Sequence, residues 1–186
     1  MKIGFFGGSF NPPTIAHIEL AKKAIKGKEL DKVIFVPIGD FYQKDNLESL
    51  DNRIEMLKLA CNNESLLEVS ALEKDFKETK FAIDVFKILE EKHAGDDFYF
   101  LMGADNYNKL PEWKNYNELK KYKYIVFERN EKIENKNENV YFVKNTETED
   151  VSSTSIRDRI QEGKKISDFL HEDVEKFIIE NKLYKK

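Results

Sequence analysis

The sequence predicts an α/β fold: a mainly parallel sheet flanked by helices. Three observations lead there. Short apolar runs recur at residues 2–6 (KIGFF), 33–36 (VIFV), 98–102, 124–127 and 140–143 (VYFV). Stretches of helical period lie between them, which favours βαβ units over hairpins. Segments 7–14, 37–44 and 103–105 each directly follow a strand, and in parallel sheets ligands bind beyond the carboxyl ends of the strands.

The first run ends in Gly7-Gly8, a tight turn after a buried strand. A helix follows, with Ile15, Ile18, Ala21 and Ile25 on one face and Lys22, Lys23 and Lys26 opposite. After the second strand, Asp51 is expected to cap a helix carrying Ile54, Leu57 and Ala60. Residues 66–69 suggest a short strand and 81–91 a helix. Two helices, 154–162 and 172–181, close the chain. The polar stretch 130–139 (NEKIENKNEN) reads as a solvated loop rather than a linker, because too little chain follows it to fold alone. One domain, 1–186, is expected.

Composition narrows the function. Hydrophobic residues make up 40% and charged residues 35%, as in ordinary soluble domains. The formal net charge of −4 argues against a nucleic-acid partner, whose phosphates need a basic face. It does not exclude a nucleotide, since local cations and helix N-termini hold phosphates well. The lone cysteine, Cys61, rules out a disulfide framework within one chain and reads as a small buried hydrophobe. No run reaches membrane-spanning length and the start lacks the apolar core of a signal peptide, so no membrane association and a cytoplasmic location are expected.

Two segments carry the chemistry. In Gly7-Gly8-Ser9-Phe10-Asn11-Pro12-Pro13-Thr14-Ile15-Ala16-His17, paired glycines let the backbone approach a ligand. Thr14 and His17 stand three apart, on one face of the first helical turn. Amides, a hydroxyl and an imidazole then surround an anion-sized space. The segment is neither a Walker A loop nor G-x-G-x-x-G. Far along the chain, Val151-Ser152-Ser153-Thr154-Ser155-Ile156-Arg157 opens another helix, where hydroxyls, amides and a guanidinium make a clamp suited to a triphosphate.

These two segments resemble the nucleotidyltransferases with an H-x-G-H or T-x-G-H signature, and within them the bacterial nicotinate-nucleotide adenylyltransferase family. GGSFNPPTIAH is similar to that family's opening motif, and VSSTSIR to its [IV]-S-S-T-x-[IL]-R. Thr14 stands where a first histidine is commoner, and Ala16 where glycine is usual. Gly103-Ala104-Asp105 followed by Leu110 and Trp113 resembles an element of the pyridine-nucleotide enzymes that phosphopantetheine adenylyltransferases lack. The resemblance spans nearly the whole chain and is weakest at 39–50 and 130–150.

The resemblance implies a Rossmann-like nucleotidyltransferase fold and transfer of the adenylyl group of ATP to nicotinate mononucleotide. Gly8, Ser9, Phe10, His17, Gly103, Asp105, Ser152, Ser153, Thr154 and Arg157 would contact ATP, with His17, Thr14 and Arg157 catalytic. Trp113 would stack on the pyridine ring. Phe81 and Ala82 correspond to a Tyr-Thr pair near that ring; Phe81 lacks the hydroxyl, and Ala82 leaves only backbone donors for a carboxylate. In Tyr42-Gln43-Lys44, Lys44 would hold the acceptor phosphate, assisted by Arg53. Mg²⁺ is expected through ATP phosphates and water, with no protein metal site. Competing expectations are another acceptor (nicotinamide mononucleotide or phosphopantetheine) and a non-catalytic ATP-binding module. His93 and His171 receive no role.

Overall fold

The computed structural model of the chain describes residues 1–42, 44–128, 138–144 and 152–185. Gln43, Val151 and most of the 130–139 stretch lie outside them. Strands β1 (Lys2–Gly8), β2 (Lys32–Pro37), β3 (Leu67–Val69), β4 (Asp97–Gly103), β5 (Tyr124–Glu128) and β6 (Val140–Lys144) form one sheet in the order β3-β2-β1-β4-β5-β6. All five pairings are parallel, with Phe6 opposite Phe35 on one side and Leu101 on the other.

Both faces of the sheet are covered, which is why its central strands read as unbroken apolar runs. Phe6, Phe35, Leu101, Ile125 and Phe127 point to one face. They pack under α1 (Ile15–Lys28), α2 (Leu50–Ala60), α6 (Ser153–Gln161) and α7 (Glu172–Glu180). Phe5, Ile34, Val36, Phe100, Met102 and Val126 point the other way, against α3 (Ala82–Lys92) and the short α4 (Ala104–Asn108) and α5 (Tyr116–Leu119). Cys61 is buried at the end of α2, and burial pushes its thiol up to about 12.

Three local expectations are corrected. Ile15 is 38% exposed, while Leu20 is buried in its place, so the buried stripe of α1 is Ile18, Leu20, Ala21 and Ala24. Ile15 lies in the first turn of the helix, where it borders a small surface pocket with Ile18 and Ala60. Asp51 does not cap α2; Ser49 does, its hydroxyl accepting from Asn52 N–H at 3.3 Å. Helices α4 and α5 and the 3₁₀ turns Leu72–Asp75 and Leu110–Glu112 were not expected. Each is a turn or so long, too short for a periodic pattern to register.

Gly4 shows how tightly β1 is held. A Cβ there would lie 2.9 Å from Leu30 Cδ1 and Val33 Cγ2 and 3.0 Å from Leu101 Cδ1. At Gly7, three residues on and on the opposite face of the sheet, a Cβ meets nothing within 4 Å. Gly4→Ala is therefore expected to destabilise the fold by about 1–2 kcal/mol through overpacking, while Gly7→Ala melts close to wild type. Equal melting temperatures for the two variants would contradict this packing.

Candidate active site where β1 and β4 part

The strand order reverses between β1 and β4. The chain leaves β1 toward α1 on one face and leaves β4 toward α4 on the other, which opens a crevice at their carboxyl ends. Gly7 and Gly8 close β1 and Gly103 closes β4. Asp105 folds back over Gly103, so that any Cβ on Gly103 would lie within bonding range of its carboxylate.

His17 is held by the start of its own helix. Thr14 is the N-cap of α1, and its hydroxyl accepts from His17 N–H at 3.4 Å. In return His17 Nδ1 lies 3.0 Å from Thr14 N and 2.8 Å from Thr14 Oγ1. This is a reciprocal capping box with an imidazole where a glutamate usually stands. A backbone N–H can only donate, so Nδ1 accepts and the neutral ring carries its proton on Nε2. That tautomer makes the far nitrogen a donor. Phe10 supports the ring from below: it is buried and packs edge-to-face on His17 with centroids 5.2 Å apart. It adopts φ +46°, the left-handed region that non-glycine residues seldom enter.

The second motif meets the first across 146 positions of sequence. Arg157 Nη1 donates to the Asn11 carbonyl at 2.8 Å and Nη2 to Thr154 Oγ1 at 3.2 Å. Ser153 Oγ donates to the Pro12 carbonyl at 2.8 Å. Ser152 caps α6, accepting from Ser155 N–H at 3.1 Å. The amides of Ser153 and Thr154 are the first in α6, where no intrahelical acceptor exists. The starts of α1 and α6 therefore sit side by side.

Two more cations reach the same loop. Lys44 Nζ donates to Ser9 Oγ at 2.8 Å. Burial, then the charges of Arg157 and Arg53, holds its ammonium below the ordinary lysine range. Arg53 is fully buried: Nε donates to Glu48 O (2.7 Å), Nη1 to Ser9 O (3.1 Å) and Nη2 to Asp40 Oδ1 (3.0 Å).

On the α3 side of the crevice lies a cavity of about 510 Å³. Gly8 and Ser9 form the wall it shares with the first loop, and Phe81, Ala82, Asn106 and Trp113 lie around the rest. Phe81 is the N-cap residue of α3, so that helix begins at the cavity wall. Tyr42 also faces the cavity, with its hydroxyl donating to the Lys80 carbonyl at 2.7 Å. Burial raises that phenol to about 12.

The residues proposed from sequence thus fall into two groups, with some reassignments. Thr14, His17, Ser152, Thr154 and Arg157 gather around loop 9–14, with Gly103 and Asp105 at the neighbouring strand end. Phe81, Ala82 and Trp113 share the cavity. Arg53 is a fully buried strut whose Nε, Nη1 and Nη2 each donate to the protein, rather than a side chain open to the acceptor as expected. Lys44 sits on Ser9, close to Arg157, and does not line the cavity that holds Trp113. Phe10 offers only backbone, because its ring is core, and Ser153 gives its proton to Pro12. Sequence reasoning missed Asn11, whose buried side chain donates to Asn46 O at 2.7 Å and accepts from Glu48 N–H and the Tyr184 hydroxyl. Its place inside the opening motif was the available signal. Tyr184 gave none.

Two outcomes are expected. Arg53→Met should cost about 2–4 kcal/mol in chemical denaturation, because the Ser9 and Glu48 carbonyls lose their donor; a change under about 0.5 kcal/mol would refute the strut. Nitrogen-15 NMR of histidine-labelled protein should show His17 as the Nε2–H tautomer when neutral; an Nδ1–H tautomer would contradict the capping geometry.

Known proteins with these features can now be compared. The Cytidylyltransferase-like family matches residues 5–159. A protein of Shouchella clausii named "Probable nicotinate-nucleotide adenylyltransferase" is 36% identical over 186 residues, covering 98% of this chain and 96% of its own. One of Halalkalibacterium halodurans with the same name is 37% identical, covering 99% and 91%. Among solved structures, the Plasmodium falciparum nicotinic acid mononucleotide adenylyltransferase complexed with NaAD superposes with a TM-score of 0.84 at 22% identity, over 98% of this chain and 97% of that one. At that identity it speaks for the fold, which is the nucleotidyltransferase variant of the Rossmann-like sheet. The chain belongs to the Cytidylyltransferase-like family and, within it, to the nicotinate-nucleotide adenylyltransferases.

Proposed function

We infer that this protein transfers the adenylyl group of ATP to nicotinate mononucleotide, giving nicotinate adenine dinucleotide and pyrophosphate in NAD biosynthesis. The observation that carries this is the sharing of Ser9 by two sites. A phosphate-suited loop with His17 lies on one side and a cavity with Trp113 on the other. A reaction that joins two nucleotides through their phosphates needs that adjacency. The 33–37% identity to relatives bearing this name, over their full length, supports the same reading.

The acceptor's 5′-phosphate attacks the α-phosphorus of ATP in line, and the bond to the β-phosphate oxygen breaks. The attacking oxygen is already anionic, so no general base is required. Catalysis is then positioning and charge stabilisation. His17 Nε2–H donates to an α-phosphoryl oxygen, with Thr14 fixing the ring through Nδ1 rather than touching substrate. Ser152, Thr154, Arg157 and the first amides of α6 hold the leaving pyrophosphate. Lys44, beside Arg157, holds phosphate at the junction of the two sites. Trp113 stacks on the pyridine ring, and the amides at the start of α3 meet its carboxylate where Ala82 brings no hydroxyl. Gly103 lets the nucleotide approach, and Asp105 accepts from a ribose hydroxyl.

Mg²⁺ fits this site as an ion carried by the substrate. No cluster of three or more His, Cys, Asp or Glu side chains suited to a metal occurs among the described residues, and the charged side chains that donate to loop 9–14, Lys44, Arg53 and Arg157, are cations. Phosphate oxygens and water would be its ligands, and its charge would ease departure of pyrophosphate. We place the activity in one domain, 1–186, in the cytoplasm. No described helix is long and apolar enough to cross a membrane.

The test is pyrophosphate release from ATP with a panel of acceptors: nicotinate mononucleotide, nicotinamide mononucleotide and phosphopantetheine. Release with the first is expected to dominate. Preference for phosphopantetheine would overturn the acceptor, and ATP binding without release would leave a nucleotide-binding module. His17→Ala should lower turnover on the order of 10²-fold or more, as loss of a donor to developing charge does, with the fold intact. Near-normal turnover would remove His17 from the chemistry.

A further inference from the structure

We propose that Lys114 sets the preference for the acid over the amide at the acceptor cavity; this rests on the function proposed above. Lys114 directly follows Trp113, and its Nζ lies 3.9 Å from the centroid of the Phe81 ring. That ring lines the cavity, is 49% exposed and belongs to the N-cap residue of α3. The ammonium therefore sits on the ring of a cavity-wall residue, just outside the lining itself, near the positive end of α3.

Neighbouring lysines are neutralised. Lys80 pairs with Glu78 at 2.7 Å and Lys87 with Glu118 at 2.7 Å. Lys114 is ion-paired with no carboxylate among the described residues, and its charge faces the ring. Phe81 brings no hydroxyl and Ala82 no hydroxyl either, so side-chain hydrogen bonds to a carboxylate are not what those two positions supply.

The two candidate acceptors differ in one group. In nicotinamide mononucleotide the pyridinium carries an uncompensated positive charge. In nicotinate mononucleotide the ring carboxylate cancels it. An ammonium beside the ring site attracts that carboxylate and repels the uncompensated pyridinium, and the start of α3 acts in the same sense. At a half-exposed rim, one unit charge a few ångströms away is worth roughly a factor of ten in affinity. Because the site is solvated, the effect is screened by salt.

The experiment compares wild type, Lys114→Met and Lys114→Arg. For each, kcat/KM is measured with nicotinate and with nicotinamide mononucleotide, at low and high salt. Binding of each mononucleotide without ATP is followed by the fluorescence of Trp113, the only tryptophan in the chain. Lys114→Met should lower the acid-to-amide ratio roughly tenfold, mainly through the acceptor KM, and abolish the salt dependence of that ratio. Lys114→Arg should retain both. An unchanged ratio in Lys114→Met, in a wild type that prefers the acid, overturns the proposal alone. A wild type that neither binds nor adenylylates either mononucleotide overturns the function as well.

Discussion

The site depends on how the backbone of residues 9–12 is gripped. Three of its carbonyls are each taken by a side chain from another element: Ser9 by Arg53 of α2, Asn11 by Arg157 and Pro12 by Ser153 of α6. Pulling the carbonyls outward has a consequence at each peptide. Across the trans Ser9–Phe10 bond, the Phe10 N–H points away from Arg53. After Asn11 and Pro12 come prolines, which have no N–H to leave unpaired. The loop thus keeps its shape without a regular ladder, and Gly8 is carried to the edge of the crevice.

That grip brings positive charge together. Lys44, Arg53 and Arg157 sit close enough for the two arginines to add to burial, the largest cause, in lowering the lysine's proton affinity. Only Arg53 has a carboxylate partner among the described residues, Asp40. Burial disfavours the charged form of Arg53, but its hydrogen bond to Asp40 and that carboxylate's charge oppose the effect. A polyphosphate would relieve the remaining repulsion, so the cluster is organised for a ligand more highly charged than any side chain in it. A chain with a net charge of −4 thus carries a local cluster of cations that its overall composition hides.

The strands were legible because the central ones are buried on both faces and admit little but apolar residues. The glycines and the Thr14–His17 spacing were legible because backbone approach and first-turn geometry restrict residue types. What was hidden follows from tertiary contacts. Arg53 reads as an accessible partner for the acceptor phosphate, since charged side chains are seldom wholly buried; only the fold shows three acceptors matching its fork. Ser153 reads as a ligand donor, and the structure turns its hydroxyl onto the Pro12 carbonyl. Tyr184 comes near the end of the chain, yet its buried hydroxyl donates to Asn11 at 3.0 Å, and burial raises its proton affinity. Nothing local marks it. Lys114 is one lysine in a lysine-rich chain until its ammonium is seen over Phe81.

The proposed mechanism needs two helix starts to share one polyphosphate. The most direct measurement is a crystal structure of this protein with a non-hydrolysable ATP analogue. The β- and γ-phosphates should lie on the first amides of α6, with His17 Nε2 within hydrogen-bond distance of an α-phosphoryl oxygen. A triphosphate bound away from α6, or an α-phosphate out of reach of His17, would contradict it.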